Sequence, residues 1–194
     1  MKSEEIKDAA LKYFTMHGYE GASLSLIAED VGMKKQSIYA HFKGKDDLFL
    51  QVLRDAKEAE LSSKLQYFSS IGSQHPEKAL YGFLQLVIDL FQKDEQLTFW
   101  LRMSFFPPAH LAKAIEQEVI DIEQKVQAML ERKFQDWIDE KAIVEEAART
   151  PTLAFLGVVD SIMLELVYGG NDEQRLKDKL EASWTVFWRG IAHP

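Results

Sequence analysis

Apolar residues recur at helical spacing along almost the whole chain. Ile6, Ala9, Ala10, Tyr13 and Phe14 stand at i, i+3, i+4, i+7 and i+8, which is the stripe of a helix with one buried face. The pattern predicts a first helix from about Ser3, its cap, to His17, with Glu4 and Glu5 in the first turn and Gly18 as the stop. A second helix follows Ser23, an N-cap residue, and turns Leu24, Ile27, Ala28 and Val31 inward. Gly32 breaks it, because a sharp turn between helices needs a left-handed residue. A short third helix over Lys35–Phe42 faces Ile38 and Phe42 inward and leaves Lys34, Lys35, Gln36, Ser37, Tyr39 and His41 outward or sideways. The fourth starts near Asp46 and runs to about Phe68, burying Leu48, Phe49, Val52, Leu53 and Ala56.

The pattern continues in the second part of the chain. Pro76 suits a first helical position. Residues 79–91 are apolar nearly all round, with Gln85 and Asp89 on one face, as expected of a helix in the middle of a bundle. A helix over 94–106 stops at Pro107–Pro108. A long one over about 109–139 repeats Ile115, Val119, Ile122, Val126 and Met129 at spacings of 4, 3, 4 and 3. Thr150–Pro151 reads as a cap and a first-turn proline for a helix ending at Tyr168, before Gly169–Gly170. Asn171 with Gln174 three residues on reads as the next cap, and Leu176, Leu180, Trp184, Phe187 and Ile191 mark the last helix. The expectation is an all-α protein of about nine helices. Residues 1–48 form an N-terminal three-helix domain with a helix-turn-helix at about 23–42, and residues 49–194 form a C-terminal helical bundle.

Composition narrows the function. With 194 residues, 46% hydrophobic, there is ample material for a core. The chain has no cysteine, which excludes a disulfide framework, a thiolate metal site and a cysteine nucleophile. The N-terminal residues are charged and amphipathic rather than signal-like. The longest apolar stretch, 153–168, is interrupted by Asp160 and Glu165, so no membrane span is expected and the protein is read as cytoplasmic. The net charge of −8 argues against nucleic acid until it is mapped. Residues 1–45 carry 7 lysines and 6 acids, whereas the remainder carries 16 basic and 25 acidic residues. Within residues 31–45 there are four lysines and no acid. Such a local footprint outweighs the total, and an acidic body behind it disfavours wrong docking orientations.

A helix-turn-helix places its second helix in the major groove. That helix needs an anchored inner face, here Ile38 and Phe42, and an outer face of donors. Gln36 suits adenine and a lysine suits guanine; the lysines add the counterion-release contribution. Tyr39 reaches a phosphate or the sugar–phosphate edge, and Lys45 meets a phosphate at the start of the fourth helix. The set Gly18–Tyr19, Ser23, Ile27–Ala28, Val31–Gly32, Ser37–Ile38–Tyr39, His41–Phe42 and Lys43–Phe49 resembles the DNA-binding domain of the TetR (tetracycline-repressor-like) family over about residues 3–53. The resemblance implies a bacterial dimeric repressor that a small molecule releases from its operator. It also implies recognition-helix contacts at Gln36, Ser37, Tyr39 and His41, a phosphate contact at Lys45, and Ser23 as the helix-2 cap near the DNA backbone. Two positions depart from the family. Lys34 stands where serine usually caps helix 3, exchanging a cap of about 1 kcal/mol for phosphate charge. Leu26 stands where an acid often completes a capping box with Ser23.

The C-terminal bundle then has two tasks. Dimerisation is assigned to the last two helices, which are rich in leucine and aromatics and carry Gly157 for close approach; the same resemblance places it there. Ligand sensing needs an apolar pocket with a few polar groups. Candidate lining residues are Phe83, Val87, Phe99, Trp100, Met103, Phe106, Trp137, Phe155 and Met163, and the polar candidates are Gln85, Asp89, Arg102, His110, Asp160 and Glu165. Asp160, amid apolar neighbours, must be paired, protonated or solvated. The expected partners are therefore double-stranded DNA, a second copy of the chain, and a lipophilic or cationic effector. No cofactor, metal or membrane partner is expected. An enzyme is not expected either, for there is no E-x-x-H spacing, phosphate loop or Ser-His-acid set. A DNA-binding architectural protein without an effector is the alternative.

Overall fold

The computed structural model describes residues 2–144, 147–170 and 172–193. Among them are nine α-helices and no strand: α1 Lys2–Gly21, α2 Leu24–Asp30, α3 Lys35–Ile38, α4 Lys45–Ser70, α5 Pro76–Lys93, α6 Glu95–Phe105, α7 Ala112–Asp139, α8 Arg149–Tyr168 and α9 Glu173–Ile191, with a 3-10 turn at Ala109–Leu111 before α7. They pack as two compact units, Met1–Glu60 with Lys93–Ile120, and Leu61–Gln92 with Asp121–Pro194. Helices α4 and α7 contribute to both.

In the first unit the apolar stripe of α1 is buried at Ile6, Ala9, Ala10 and Phe14. Phe14 meets Phe49 of α4 edge-on at 4.9 Å and lies 6.4 Å from Phe99 of α6, and Phe49 and Phe99 are 5.6 Å apart. Three phenyl rings thus join three helices. Edge-to-face and offset pairs of this kind add about 0.5–1.5 kcal/mol each beyond the area they bury. A half-buried ionic group sits on the same unit. Glu118 of α7 accepts hydrogen bonds from Lys57 and Arg54 of α4, both at 2.6 Å, and Lys57 is buried.

The second unit has an aromatic core. Phe83 of α5 lies 6.0 Å from Phe155 of α8, which lies 6.3 Å from Phe134 of α7 and 5.4 Å from Phe187 of α9. Glu165, buried on α8, binds Arg175 at 2.7 Å and Lys179 at 3.2 Å, both on α9. Helix α8 is long and apolar enough to cross a membrane by length and composition, with mean hydropathy 1.5, but 39% of that stretch is buried inside the protein. Its acids do different work, since Glu165 is a tie between helices and Asp160 is exposed.

Several helix ends differ from the periodicity. Ser3 lies inside the first turn of α1, not ahead of it. Gly18 does stop the regular backbone, with φ 67, but a short helical segment resumes through Gly21. Helix α3 is only four residues long. Beyond it the backbone tightens, Ala40 N–H bonding Ser37 O and His41 N–H bonding Ile38 O, before Phe42 N–H returns to Ile38 O at 2.9 Å. Helix α8 starts before Thr150: Thr152 hydroxyl and amide both bond Ala148 O, so the first turn closes on Ala148 and Pro151 falls within it. Asn171 lies outside the described residues, and Asp172 caps α9 by accepting from Arg175 N–H at 3.0 Å.

Burial alone would raise the Glu118 carboxyl, but the bonds from Lys57 and Arg54 outweigh it and hold its pKa below the ordinary value. A carboxyl depressed in the folded state stabilises fully above the unfolded value, about 4.3, and that contribution is lost as pH falls through the folded value. Glu118→Gln should therefore lower Tm at pH 7 and flatten its decline between about pH 5 and pH 3. Thermal melts across that range check it, and parallel declines for the two proteins would refute it.

Candidate nucleic-acid interface

The recognition element is built from its caps and its anchors. Ser23 has extended backbone and its Oγ accepts from Leu26 N–H at 3.2 Å, so α2 is capped although Leu26 itself cannot complete a capping box. The hydroxyl proton of Ser23 stays available to donate. At the other end Gly32 has φ 66; Gly32 N–H bonds Glu29 O at 3.0 Å and Met33 N–H bonds Ala28 O at 2.8 Å. This is a Schellman closure, which needs a left-handed residue where glycine stands. Lys34 occupies the N-cap of α3 and makes no side-chain cap bond, as a lysine must, having no acceptor. Ile38 is fully buried and Phe42 is 2% exposed. Lys34, Lys35, Gln36, Ser37, Tyr39 and His41 are all exposed, Tyr39 at 53%.

The lysines on this surface are not held in ion pairs. Among the described residues Lys34, Lys35, Lys43 and Lys45 form no ion pair, whereas Lys7 and Lys57 of the same unit are held by Asp55 and Glu118. The two acids nearest the lysines are engaged elsewhere. Asp47 accepts the Lys43 backbone N–H at 2.8 Å and a bond from Gln51 at 3.1 Å; the backbone bond is the main cause that lowers its pKa. Asp46 accepts the Tyr19 hydroxyl and faces His110 at 3.4 Å. The Tyr19 bond, against some burial, pulls the Asp46 carboxyl below its ordinary value, and burial first, then that bond, raises the Tyr19 phenol well above its own. Lys45, half-buried, holds its ammonium 4.2 Å from the centre of the Tyr19 ring.

Residue patterning did not bring Tyr19, Asp46 and His110 together: Tyr19 was visible only as half of a Gly–Tyr pair, Asp46 only as the start of the fourth helix, and His110 only as a polar candidate for the ligand pocket. The contact that unites them joins residues 64 apart in sequence.

The candidate ligand residues fall in both units. In the second, Phe83 and Phe155 are fully buried, Val87 and Trp137 nearly so, and Met163 is half-buried. Asp160 is exposed on α8, yet crowding by neighbouring protein raises its carboxyl, with the charge of Lys64 opposing. Gln85 lines an open groove of about 710 Å³ beside Tyr67 and Lys78. In the first unit, Phe99 is sealed against Phe14 and Phe49, Trp100 is buried, Met103 is half-buried and Phe106 is 53% exposed. Of the polar candidates, Arg102 and Asp89 are exposed, His110 belongs to the Tyr19–Asp46 cluster, and Glu165 is committed to α9.

Comparison with known proteins converges on this surface. Residues 6–52 match the family described as bacterial regulatory proteins, tetR family. The HTH-type transcriptional repressor AcnR of Corynebacterium diphtheriae is 40% identical over 63 residues, spanning 31% of this chain and 33% of that repressor. The chain thus matches about a third of that relative's length. Two solved structures share the fold over nearly the whole chain. The Bacillus subtilis transcriptional regulator FadR in complex with stearoyl-CoA has TM-score 0.72 at 19% identity, over 97% of this chain and 98% of its own. AibR in complex with isovaleryl coenzyme A and operator DNA has TM-score 0.67 at 17% identity, over 96% and 97%. A capped helix-turn-helix and an exposed basic face thus lie within the segment, residues 6–52, that is similar to bacterial regulatory proteins of the tetR family.

Proposed function

We propose that the protein is a cytoplasmic, dimeric repressor that reads a palindromic operator with α3 in the major groove and leaves it when a small molecule enters the C-terminal region. Residues 1–48 supply the DNA-binding function, and residues 49–194 supply sensing and dimerisation. The observation that carries this reading is the pairing of a sealed inner face, Ile38 and Phe42, with an outer face whose lysines have no carboxylate partner among the described residues. Lys34, Lys35 and Lys45 serve phosphates, Gln36 and Ser37 face base edges, and Tyr39 and His41 border the sugar–phosphate chain. Ser23 offers its hydroxyl proton to the backbone.

Two further observations support the dimer. Leu153, Gly157, Leu164 and Tyr168 fall on one stripe of α8, and Leu153, Leu164 and Tyr168 are 45%, 44% and 59% exposed. Val186 of α9 is 75% exposed, and a Cβ built at Gly157 meets nothing within 4 Å. An apolar stripe on the last two helices is what a two-fold helical interface requires. The effector is lipophilic, and the acyl thioesters bound by FadR and AibR support that class. The competing reading is an architectural DNA-binding protein without an effector, favoured by the tight packing of Phe83, Val87 and Phe155. Release of operator by a long-chain acyl-CoA, followed by fluorescence anisotropy, decides between them; full retention of DNA at saturating thioester would leave the architectural reading standing.

Tyr39→Ala should weaken operator binding about tenfold, roughly 1.4 kcal/mol, with Tm unchanged because the ring is exposed. An unaltered affinity would remove Tyr39 from the interface. Lys34→Ala should lower the slope of log K against log salt by about 2 for a dimer, one phosphate per protomer, on operator and random duplex alike. Leu164→Glu should convert the dimer to monomer in sedimentation without loss of helicity, and with it abolish operator binding at moderate salt. A Leu164→Glu dimer would place the interface elsewhere.

A further inference from the structure

Lys45 is unusual among the basic residues of this surface in being half-buried, with its ammonium fixed rather than free. What fixes it is the Tyr19 ring, 4.2 Å away. That ring is itself held on three sides. Phe14 stacks on it at 6.2 Å with planes 4° apart, Phe49 meets it edge-on at 5.2 Å, and His110 meets it edge-on at 4.9 Å. Its hydroxyl donates to Asp46 Oδ1, the same oxygen that His110 faces.

The chemistry of the support matters. A carboxylate holding Lys45 would also neutralise it, and a phosphate would then have to displace that carboxylate. An aromatic face attracts the cation through its quadrupole and carries no net charge, so the full positive charge stays available to a phosphate. Asp46, the residue next to Lys45, is the carboxylate best placed to neutralise it. Its Oδ1 is occupied by the Tyr19 hydroxyl, and Asp46 and Lys45 form no ion pair among the described residues.

We infer that Tyr19 is a positioning residue for DNA binding: its ring pre-orders the Lys45 ammonium as a phosphate clamp while its hydroxyl holds the adjacent Asp46 carboxylate out of a direct ion pair with Lys45. This rests on the reading of Lys45 as a phosphate contact under the proposed function. Ordering a long, rotamer-rich side chain before binding removes part of the entropy cost of the contact. The effect is independent of base sequence, because phosphate contacts position the protein without reading bases.

The test is a double-mutant cycle on the full-length protein, with operator and random duplex across a salt series. Lys45→Ala should weaken both duplexes about tenfold and lower the salt slope by about 2 per dimer. Tyr19→Leu should weaken both by about three- to fivefold and lower the same slope, and the double variant should bind no worse than Lys45→Ala alone. Tyr19→Phe, which keeps the ring but frees Asp46 to pair with Lys45, should fall between the parent and Tyr19→Leu; parent-like binding would overturn the role of the hydroxyl, and a loss as large as that of Tyr19→Leu would overturn the role of the ring. Additive losses, or a weakened Tyr19→Leu with an unchanged salt slope, would show a purely structural role and overturn the inference. If Lys45→Ala binds as well as the parent, the clamp reading of Lys45 fails and the inference falls with it. A second measurement does not depend on how well Tyr19→Leu folds. In the parent protein the Lys45 side-chain methylene protons should resonate upfield of other lysines through the ring current of Tyr19. Ordinary lysine shifts at Lys45 would equally overturn it.

Discussion

Ile38 and Phe42 hold the recognition element in place. A four-residue helix is far below the length at which a helix persists in water, and Lys34 contributes no side-chain cap to it. The order of Lys35–Ile38 therefore comes from burial of these two side chains, each worth about 1.5–3 kcal/mol, and from the closure at Gly32 that sets the angle of entry. Everything on the outer face inherits its position from that inner face. Among the described residues the side chains of exposed Gln36, Ser37, Tyr39 and His41 form no hydrogen bond or ion pair, and His41 has a ring contact with its sequence neighbour Phe42 at 6.4 Å.

The same economy governs charge. The first unit contains lysines that are locked into ion pairs and lysines that are not, and the difference is geometric. Lys57 and Lys7 sit where acids of other turns reach them. Lys34, Lys35 and Lys43 sit on the exposed turn and short helix between α2 and α4. The two nearby acids are drawn into the start of α4, Asp47 to the Lys43 amide and Asp46 to the Tyr19 hydroxyl. Acids near a helix N-terminus are favoured by the dipole, so Asp46 and Asp47 strengthen α4 without forming ion pairs with the lysines of the basic face. Net charge is a poor guide here because the acidic excess lies outside residues 1–45.

Helix α8 shows how one apolar composition serves two surfaces. Phe155, Val159 and Ile162 are buried, while Leu153, Leu164 and Tyr168 remain exposed. A helix apolar on more than one face needs more than one partner. Glu165 explains why this helix belongs to a packed bundle, since its buried carboxylate is bound by two cations from α9.

Periodicity determined a good deal by itself. The order of the helices, most of their inward positions, the Ser23 cap, the break at Gly32, the uncapped Lys34 and the basic face are local properties, set by spacing and by which side chains accept hydrogen bonds, although Tyr13, Val31, Val119, Met129 and Leu176 are only half-buried. Helix ends were less legible. Helix α3 proved half the expected length, the first turn of α8 closes on Ala148, and Asp172 caps α9; a terminal turn is settled by which of several adjacent groups finds a partner. What only the tertiary structure decided is the company each side chain keeps. Phe99 looked like a pocket residue because it is aromatic at helical spacing, but it is sealed against Phe14 and Phe49. Glu165 looked like a pocket acid and is a tie to α9. Tyr19, visible in the sequence only as half of the Gly18–Tyr19 pair, lies under Lys45, bonded to Asp46 beside His110. Sequence spacing encodes which face a residue occupies, whereas the partner on that face comes from a distant turn, and only folding brings the two together.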